Sequence, residues 1–453
     1  MPGLKPGARL EPYQEEAVAF IRHHDHTCLL ADDMGLGKTL ESIAAAQLVD
    51  GRVLVVCPAS AREVWRREVA KFTTESSVVL GPGEDPSKAD GPEKYVVTGY
   101  GNLEALREGI HPERFAMVVL DESHYVKNAG TGRARLVRDL LQQVPRRLVI
   151  SGTPVMNTPD EMRAQLAFLH PDEWSDGAWF RKRFEEPFEG GSDEVREQVL
   201  ARLRQFLEGV MIRREKREAL PDLPEKRIAW HRAPLPPESR RAYVALEQEF
   251  VEAFASGAAS AGGKLERLKQ AAVAGKLPAL ISFVRELISN GDKVVVFSRY
   301  RDALSSLADE FRDAGAVTLT GDSSPADRAE AERRFQEDPA CRVFLGQLVA
   351  AGTALTLTAG THAVFLDLSW NPADHRQAMD RIHRRGQTRP VTAHFFLAEG
   401  TVDEDVAAVL DAKGRMMDAL LAPTGGAAGP RGARRAVGER LLARTACAAT
   451  PSA

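Results

Sequence analysis

A chain of 453 residues, 43% hydrophobic and 27% charged, has globular composition and enough length for two or three domains. Its net charge of −4 excludes a global basic field, so any nucleic-acid contact has to be a local patch. The four cysteines (Cys28, Cys57, Cys341 and Cys447) show neither C-x-x-C spacing nor a histidine at ligand spacing, which supports neither a disulfide framework nor a zinc site and suits a reducing cytoplasm. The opening MPGLKPGARLEPYQ lacks an apolar leader, and no run nears the roughly 20 apolar residues of a membrane span, so a soluble protein without membrane contact is expected.

In chain order, Leu10 to Phe20 reads as an amphipathic helix, Pro12 being tolerated in a first turn. The Gln14 amide can donate and accept at once, which suits the edge of adenine; a solvent-facing helix glutamine is the plainer alternative. Thr27 to Ala31 is an apolar run that reads as a buried strand, and Lys38 onward reads as a helix. Between them Asp33, Met34, Gly35, Leu36, Gly37, Lys38, Thr39 and Leu40 have the makings of a phosphate cradle. Gly35 and Gly37 let backbone N–H groups approach an anion at a positive helix N-terminus, Lys38 reaches the outer phosphates, and the Thr39 hydroxyl is placed to hold Mg²⁺. The pattern G-x-x-x-x-G-K-[ST] wants glycine where Asp32 stands, so a simple glycine turn capping a helix is the competing reading.

Val53 to Cys57, Tyr95 to Thr98, Met117 to Leu120 and Arg147 to Ile150 continue an alternation of strand and helix, as in a parallel sheet. Met117 to Leu120 delivers Asp121 and Glu122 at a strand's C-terminal end, the edge where open α/β sheets bind ligands. There Asp121 can hold a metal through water and Glu122 can polarise an attacking water. Ser151-Gly152-Thr153-Pro154 either relays between a nucleotide and a second ligand or simply turns the chain. From Asp160 to about Lys276 strand-like runs vanish and helical spacing dominates, which predicts a helical insertion. Inside it, Met211 to Arg227 (MIRREKREALPDLPEKR) reads as a basic helix leading into a linker.

Lys293 to Phe297 reopens the strand and helix alternation, with further strands near Val317 to Thr320, Val343 to Leu345, Ala363 to Leu368 and Thr392 to Phe396. This second parallel sheet has no glycine-lysine cradle of its own. Gln377 to Gln387 sets Arg381 and Arg384 one helical turn apart, where two guanidinium forks can meet phosphate oxygens across a cleft; a solvated basic helix is the alternative. Thr401 to Leu421 reads as a last helix, and the Gly/Ala/Arg-biased residues 422–453 are predicted to be disordered.

Together these residues resemble the Swi/Snf-type helicase-like ATPases of helicase superfamily two. The resemblance spans Leu10 to Leu421. It rests on LEPYQ, DDMGLGKT, VCPASAREVW, TGYGNL, DESH and SGTPVMN, then VVFSRYRDAL, LTGDSSPADRAEAERRFQ, GTALTLTAGTHAVFLDLSWNP and QAMDRIHRRGQ. MIRREKREALPDLPEKR, the Trp370-Asn371-Pro372 triplet and HRRGQ are specific to that family, in whose phosphate loop the missing first glycine is normal. The resemblance implies an α/β fold: a RecA-like ATP-binding lobe over 1–159, a helical insertion and linker over 160–276, and a second RecA-like lobe with a C-terminal bracing helix over 277–421. The tail 422–453 follows.

By the same resemblance Gln14 reads adenine, Asp33 to Leu40 hold the nucleotide, Thr39 and Asp121 hold Mg²⁺, and Glu122, Lys38, Arg381 and Arg384 carry catalysis. ATP and Mg²⁺ are then the cofactors. The implied partner is double-stranded DNA held through its phosphates without sequence reading, together with DNA-bound proteins. The layout is closest to the annealing-helicase or fork-remodelling subgroup, and a bacterial, cytoplasmic, nucleoid-associated monomer is expected. The implied activity is translocation on duplex that remodels DNA–protein complexes or branched DNA without separating strands. An RNA- or DNA-dependent unwinding helicase and a coupling-deficient nucleic-acid-binding module are the alternatives, because residue chemistry alone permits RNA equally. Ala354 and Arg385 depart from the family pattern at positions that bear on coupling.

Overall fold

The computed structural model of the protein describes residues 3–128, 130–152, 160–351 and 355–421. The chain divides into two compact units, Met1–Pro221 and Asp222–Gly414. Each is built on a single parallel sheet.

In the first unit the strands are β1 (Cys28–Leu30), β2 (Arg52–Cys57), β3 (Ser77–Leu80), β4 (Tyr95–Gly99), β5 (Phe115–Leu120), β6 (Arg146–Ile150) and β7 (Met211–Ile212), in the order β3-β4-β2-β5-β6-β1-β7. Runs such as VLVVC do not alternate in polarity because both faces of a parallel sheet are covered. Leu54, Val56, Val118 and Leu120 join one buried cluster, while Val53, Val55, Cys57, Met117 and Val119 join the other. Each such side chain contributes about 1.5–3 kcal/mol when fully buried. Helices Pro12–His23, Lys38–Ala46 and Arg62–Phe72 cover one face through Val18, Ile43 and Trp65. Helices Asp160–Leu169 and Asp193–Glu208 cover the other through Met162, Leu166, Leu203 and Leu207.

In the second unit β8 (Lys226–Ala233), β9 (Val294–Ser298), β10 (Val317–Leu319), β11 (Val343–Gln347), β12 (His362–Phe365) and β13 (Val391–Ala398) form a sheet ordered β10-β11-β9-β12-β13-β8. Register places Phe297, Phe365, Phe395 and Trp230 side by side across four strands. Their rings stack at 5.2, 4.6 and 4.7 Å between centroids. The last helix, Val402–Leu421, buries Val402, Val406, Val409 and Leu410 in the same core.

Two expectations need correction. Residues 160–276 are not free of strands, since they contain β7 and β8, and residues 211–227 do not form a basic helix. β7 is two residues long, and a four-residue helix, Lys216–Ala219, follows it. β8 is an edge strand whose apolar Ile228 and Trp230 stay largely exposed among Lys226, Arg227, His231 and Arg232, so its sequence carries little of the apolar run by which buried strands are read. Thr153 to Asn157 of SGTPVMN, Ala354 and the tail 422–453 lie outside the described residues.

Candidate nucleotide site

The loop between β1 and the helix Lys38–Ala46 turns on two glycines in the left-handed region, Gly35 at φ +86° and Gly37 at φ +89°. Gly37 caps the helix N-terminus, which directs unpaired N–H groups and the positive end of the helix dipole at the loop. A β-carbon on Gly37 would stand 2.5 Å from Gln14 Nε2, and one on Gly152 would stand 2.5 Å from Met34 Cγ and 3.4 Å from Lys38 Nζ. The cradle is thus built to a tolerance that only glycine meets at both positions. Lys38 Nζ donates to the Asp32 and Asp33 carbonyls at 2.7 and 3.1 Å, folded over its own loop. Buried Gln14 donates from Nε2 to the Leu36 carbonyl at 3.0 Å, and its Oε1 accepts the Glu11 N–H at 3.1 Å. Both ends of the amide therefore brace the loop and the start of its own helix in this structure. Thr39 and Leu40 lie in the first turn of the helix.

At the end of β5 the Asp121 carboxylate accepts from Trp65 Nε1 at 2.8 Å and from the Glu122 N–H at 3.0 Å. Burial, and next the neighbouring Glu122 charge, push Asp121 up to about 6, against the Trp65 hydrogen bond and the Lys38 charge. That Lys38 acts on Asp121 electrostatically ties the loop to this edge. Glu122 adopts φ +51°, a left-handed conformation that costs a non-glycine residue about 1–3 kcal/mol. Its Oε2 lies 3.2 Å from His124 Nδ1. Next along the chain, the Ser123 hydroxyl donates to Gln165 Oε1 at 2.6 Å, fixing this motif to the helix Asp160–Leu169.

These residues fit nucleotide and metal. The open glycine turn and the Lys38 ammonium suit phosphate. Asp121 and Thr39 offer hard oxygen donors suited to Mg²⁺.

In the second unit Arg381 and Arg384 are not on a helix face. The helix Pro372–Met379 ends before them, and a series of turns carries them instead. The Arg384 guanidinium donates to the Leu355 carbonyl at 3.1 Å and to Thr356 Oγ1 at 3.2 Å, while the Arg381 carbonyl accepts the Leu357 N–H at 2.8 Å. Gln387 Nε2 pins the same turns through the Thr358 and Gly360 carbonyls at 3.0 and 2.9 Å.

Four residues escaped sequence reading. Arg213 and Arg214 bind the loop from a distant segment whose basic character was visible but whose target was not. Trp65 holds Asp121; its position eight residues beyond the end of β2 was a weak signal. The Tyr100 hydroxyl donates to the Asp121 carbonyl at 2.8 Å.

A glycine cradle, a lysine opening the following helix and an Asp-Glu pair, all held in one parallel-sheet unit, have the arrangement of a P-loop nucleotide-binding protein. The chain matches the SNF2-related domain over residues 13–274 and the helicase conserved C-terminal domain over residues 275–386. It belongs to the SNF2-related family of helicase-like ATPases. It is 31% identical over 446 residues to the mouse (Mus musculus) DNA annealing helicase and endonuclease ZRANB3, covering 91% of this chain and 41% of that protein. It is also 31% identical to the Xenopus tropicalis SWI/SNF-related matrix-associated actin-dependent regulator of chromatin subfamily A-like protein 1, covering 88% of this chain and 44% of that one. The chain thus spans less than half the length of these curated relatives. A solved Sulfolobus solfataricus SWI2/SNF2 ATPase core in complex with dsDNA aligns with 94% of this chain and 99% of its own at 23% identity and a TM-score of 0.46. No described helix is long and apolar enough to cross a membrane.

Proposed function

We propose that this chain is an ATP-dependent translocase on double-stranded DNA, which couples hydrolysis to remodelling of DNA–protein complexes or branched DNA without separating strands. The observation that carries the reading is the first unit's pairing of a glycine cradle with Asp121 and Glu122. Family membership and the relatives' names, annealing helicase and regulator of chromatin, supply the DNA context.

On this reading Gln14 faces adenine, and the loop from Asp33 to Leu40 cradles the phosphates. Lys38 leaves the loop carbonyls for the outer phosphates. Thr39 and Asp121 would hold Mg²⁺, which when bound neutralises charge on the phosphates. Glu122, oriented by its left-handed backbone and by His124, polarises the attacking water. Arg381 and Arg384 supply guanidinium groups from the second unit, a contribution worth about 10³ to 10⁵ in rate where such arginines act. Each ATP then alternately favours and releases a closed arrangement of the two units, and phosphate contacts to one duplex turn that cycle into steps without reading sequence.

The test is ATP turnover measured alone and with duplex, branched or single-stranded DNA or RNA, beside Lys38→Ala, Glu122→Gln, Arg381→Ala and Arg384→Ala. Stimulation should be greatest with duplex or branched DNA, and each variant should lose turnover. A preference for RNA with strand separation would favour an unwinding helicase instead. Wild-type turnover no higher than that of Glu122→Gln would favour a binding module.

A further inference from the structure

Two consecutive arginines close on the phosphate loop from about 180 residues further along the chain. The Arg213 guanidinium donates to the Ala31 carbonyl at 2.9 Å and to Asp33 Oδ1 at 3.0 Å. Arg214 takes the residue between them: its backbone N–H and its Nε donate to Asp32 Oδ1 at 2.9 and 3.2 Å, and its Nη2 donates to Asp32 Oδ2. The same Nη2 reaches Glu41 Oε1 at 3.3 Å, on the helix that leaves the loop. Backbone pairing continues the grip, with the Lys216 N–H on Asp33 Oδ2 at 3.1 Å and the Asp33 N–H on the Arg214 carbonyl at 3.0 Å. The Arg214 guanidinium also lies over the Tyr13 ring, 5.5 Å from its centroid, and the Tyr13 hydroxyl donates to the Leu36 carbonyl at 2.9 Å. One side chain therefore touches the start of the loop and its helix directly, and the middle of the loop through Tyr13.

The residue types suit this task. Asp32 and Glu41 are both fully buried, and the Arg214 guanidinium hydrogen-bonds to both at the base of the cradle, where burial and the neighbouring Asp32 push Glu41 well up. A planar fork can serve Asp32 and Glu41 together; a lysine ammonium is a point charge and cannot. Asp32 stands where the general phosphate-loop pattern has glycine, and here its side chain is the anchor.

We propose that Arg214, assisted by Arg213, is a positioning residue for the phosphate loop, so that nucleotide affinity depends on where the segment around β7 sits. The inference rests on the nucleotide-binding reading of the loop and adds a device that acts on it. β7 follows directly on the helix Asp193–Glu208, whose Leu203 and Leu207 are buried in the first unit's core, so the grip on the loop is anchored in that core.

The test compares Arg214→Gln and Arg214→Lys with wild type in the full chain. The readouts are affinity for a fluorescent ADP with Mg²⁺, the KM and kcat of ATP turnover, and folding by circular dichroism. Both variants should fold and bind nucleotide ~10- to 100-fold more weakly, the scale of one to two charged hydrogen bonds, with KM rising more than kcat falls. Lysine should not rescue, because it restores charge without the fork. A folded variant with wild-type affinity would overturn the proposal while leaving the proposed function intact. Loss of folding in both variants would overturn it in favour of a purely structural role. A wild-type chain that binds no nucleotide would remove the nucleotide reading, and this inference with it.

Discussion

Tyr100 reaches Asp121 from β4's outgoing turn, its hydroxyl donating to the aspartate's carbonyl at 2.8 Å. The Tyr100 ring lies parallel to that of Tyr125, with 5.5 Å between centroids. The TGYGNL segment is thereby joined to the Asp-Glu step through one hydrogen bond and one stack. Burial holds the Tyr100 hydroxyl protonated far beyond its ordinary range, so it serves as a permanent donor. Tyr100→Phe keeps the ring and removes the bond, which is worth about 0.5–1.5 kcal/mol. DNA-stimulated turnover is expected to fall ~3- to 10-fold with the ATP KM unchanged. Steady-state kinetics at saturating duplex check it, and unchanged kcat would mean that the bond plays no part in positioning Asp121.

Gly37 tests the cradle itself. Alanine there would have to hold φ near +89° and place its β-carbon 2.5 Å from Gln14 Nε2. The backbone strain alone is about 1–3 kcal/mol, so Gly37→Ala should weaken nucleotide binding at least ~5-fold by direct titration. Wild-type affinity in the variant would show that this turn does not contact the ligand.

The second unit contains a buried ion pair. Lys276 Nζ donates to Asp403 Oδ2 at 2.5 Å and to the Phe396 carbonyl at 2.8 Å, and both side chains are essentially without solvent exposure. Lys276→Met strands a buried carboxylate and should destabilise the unit by about 3–5 kcal/mol in denaturant unfolding. Adding Asp403→Leu should restore much of that loss, since the double replacement removes the uncompensated charge. A single variant as stable as wild type would show that the pair is dispensable.

Three imidazoles form a hydrogen-bonded row in the same unit. His231 Nε2 lies 2.9 Å from His394 Nδ1, and His394 Nε2 lies 2.9 Å from His362 Nδ1. His362 Nε2 stands 3.4 Å from Asp292, which also meets Arg389. Burial lowers all three histidines, His394 to about 3, with its two histidine neighbours adding to the effect there. A histidine whose folded pKa is depressed favours the neutral form, so its contribution to stability is complete above the unfolded pKa, about 6.5, and is lost as pH falls towards the folded value. Between pH 6.5 and 3 the unfolded chain binds more protons at His394, and stability should fall by up to about 1.4 kcal/mol per pH unit from this residue. Replacing His394 with Gln should flatten the pH dependence of denaturant midpoints over that window; an unchanged slope would exclude His394 as its source.

Strands buried on both faces, such as β2, β5 and β9, were the plainest to locate, because continuous β-branched runs mark themselves; the edge strand β10 was found as well. β3, β7 and β8 were missed for different reasons. β3 is a four-residue strand at the sheet edge with only Leu80 fully buried, β7 is two residues long, and β8 mixes apolar with basic residues. Arg381 and Arg384 were placed on a helix from their spacing. The helix stops at Met379, and hydrogen bonds from Arg384 and Gln387 to carbonyls of 355–360 hold the turns that carry them.

The cradle, the Asp-Glu pair and the two parallel sheets were determined by local sequence, because each depends on residues adjacent in the chain: glycines at positive φ, a lysine at the first helical position, two carboxylates at a strand end. What only the tertiary structure decided is who braces them. Arg213 and Arg214 meet Asp32, Asp33 and Glu41, Trp65 meets Asp121, and Ser123 meets Gln165, all across long stretches of chain. Such contacts leave no periodicity to read. A buried carboxylate requires a partner, and the fold, not the spacing of residues, chooses which guanidinium or indole arrives.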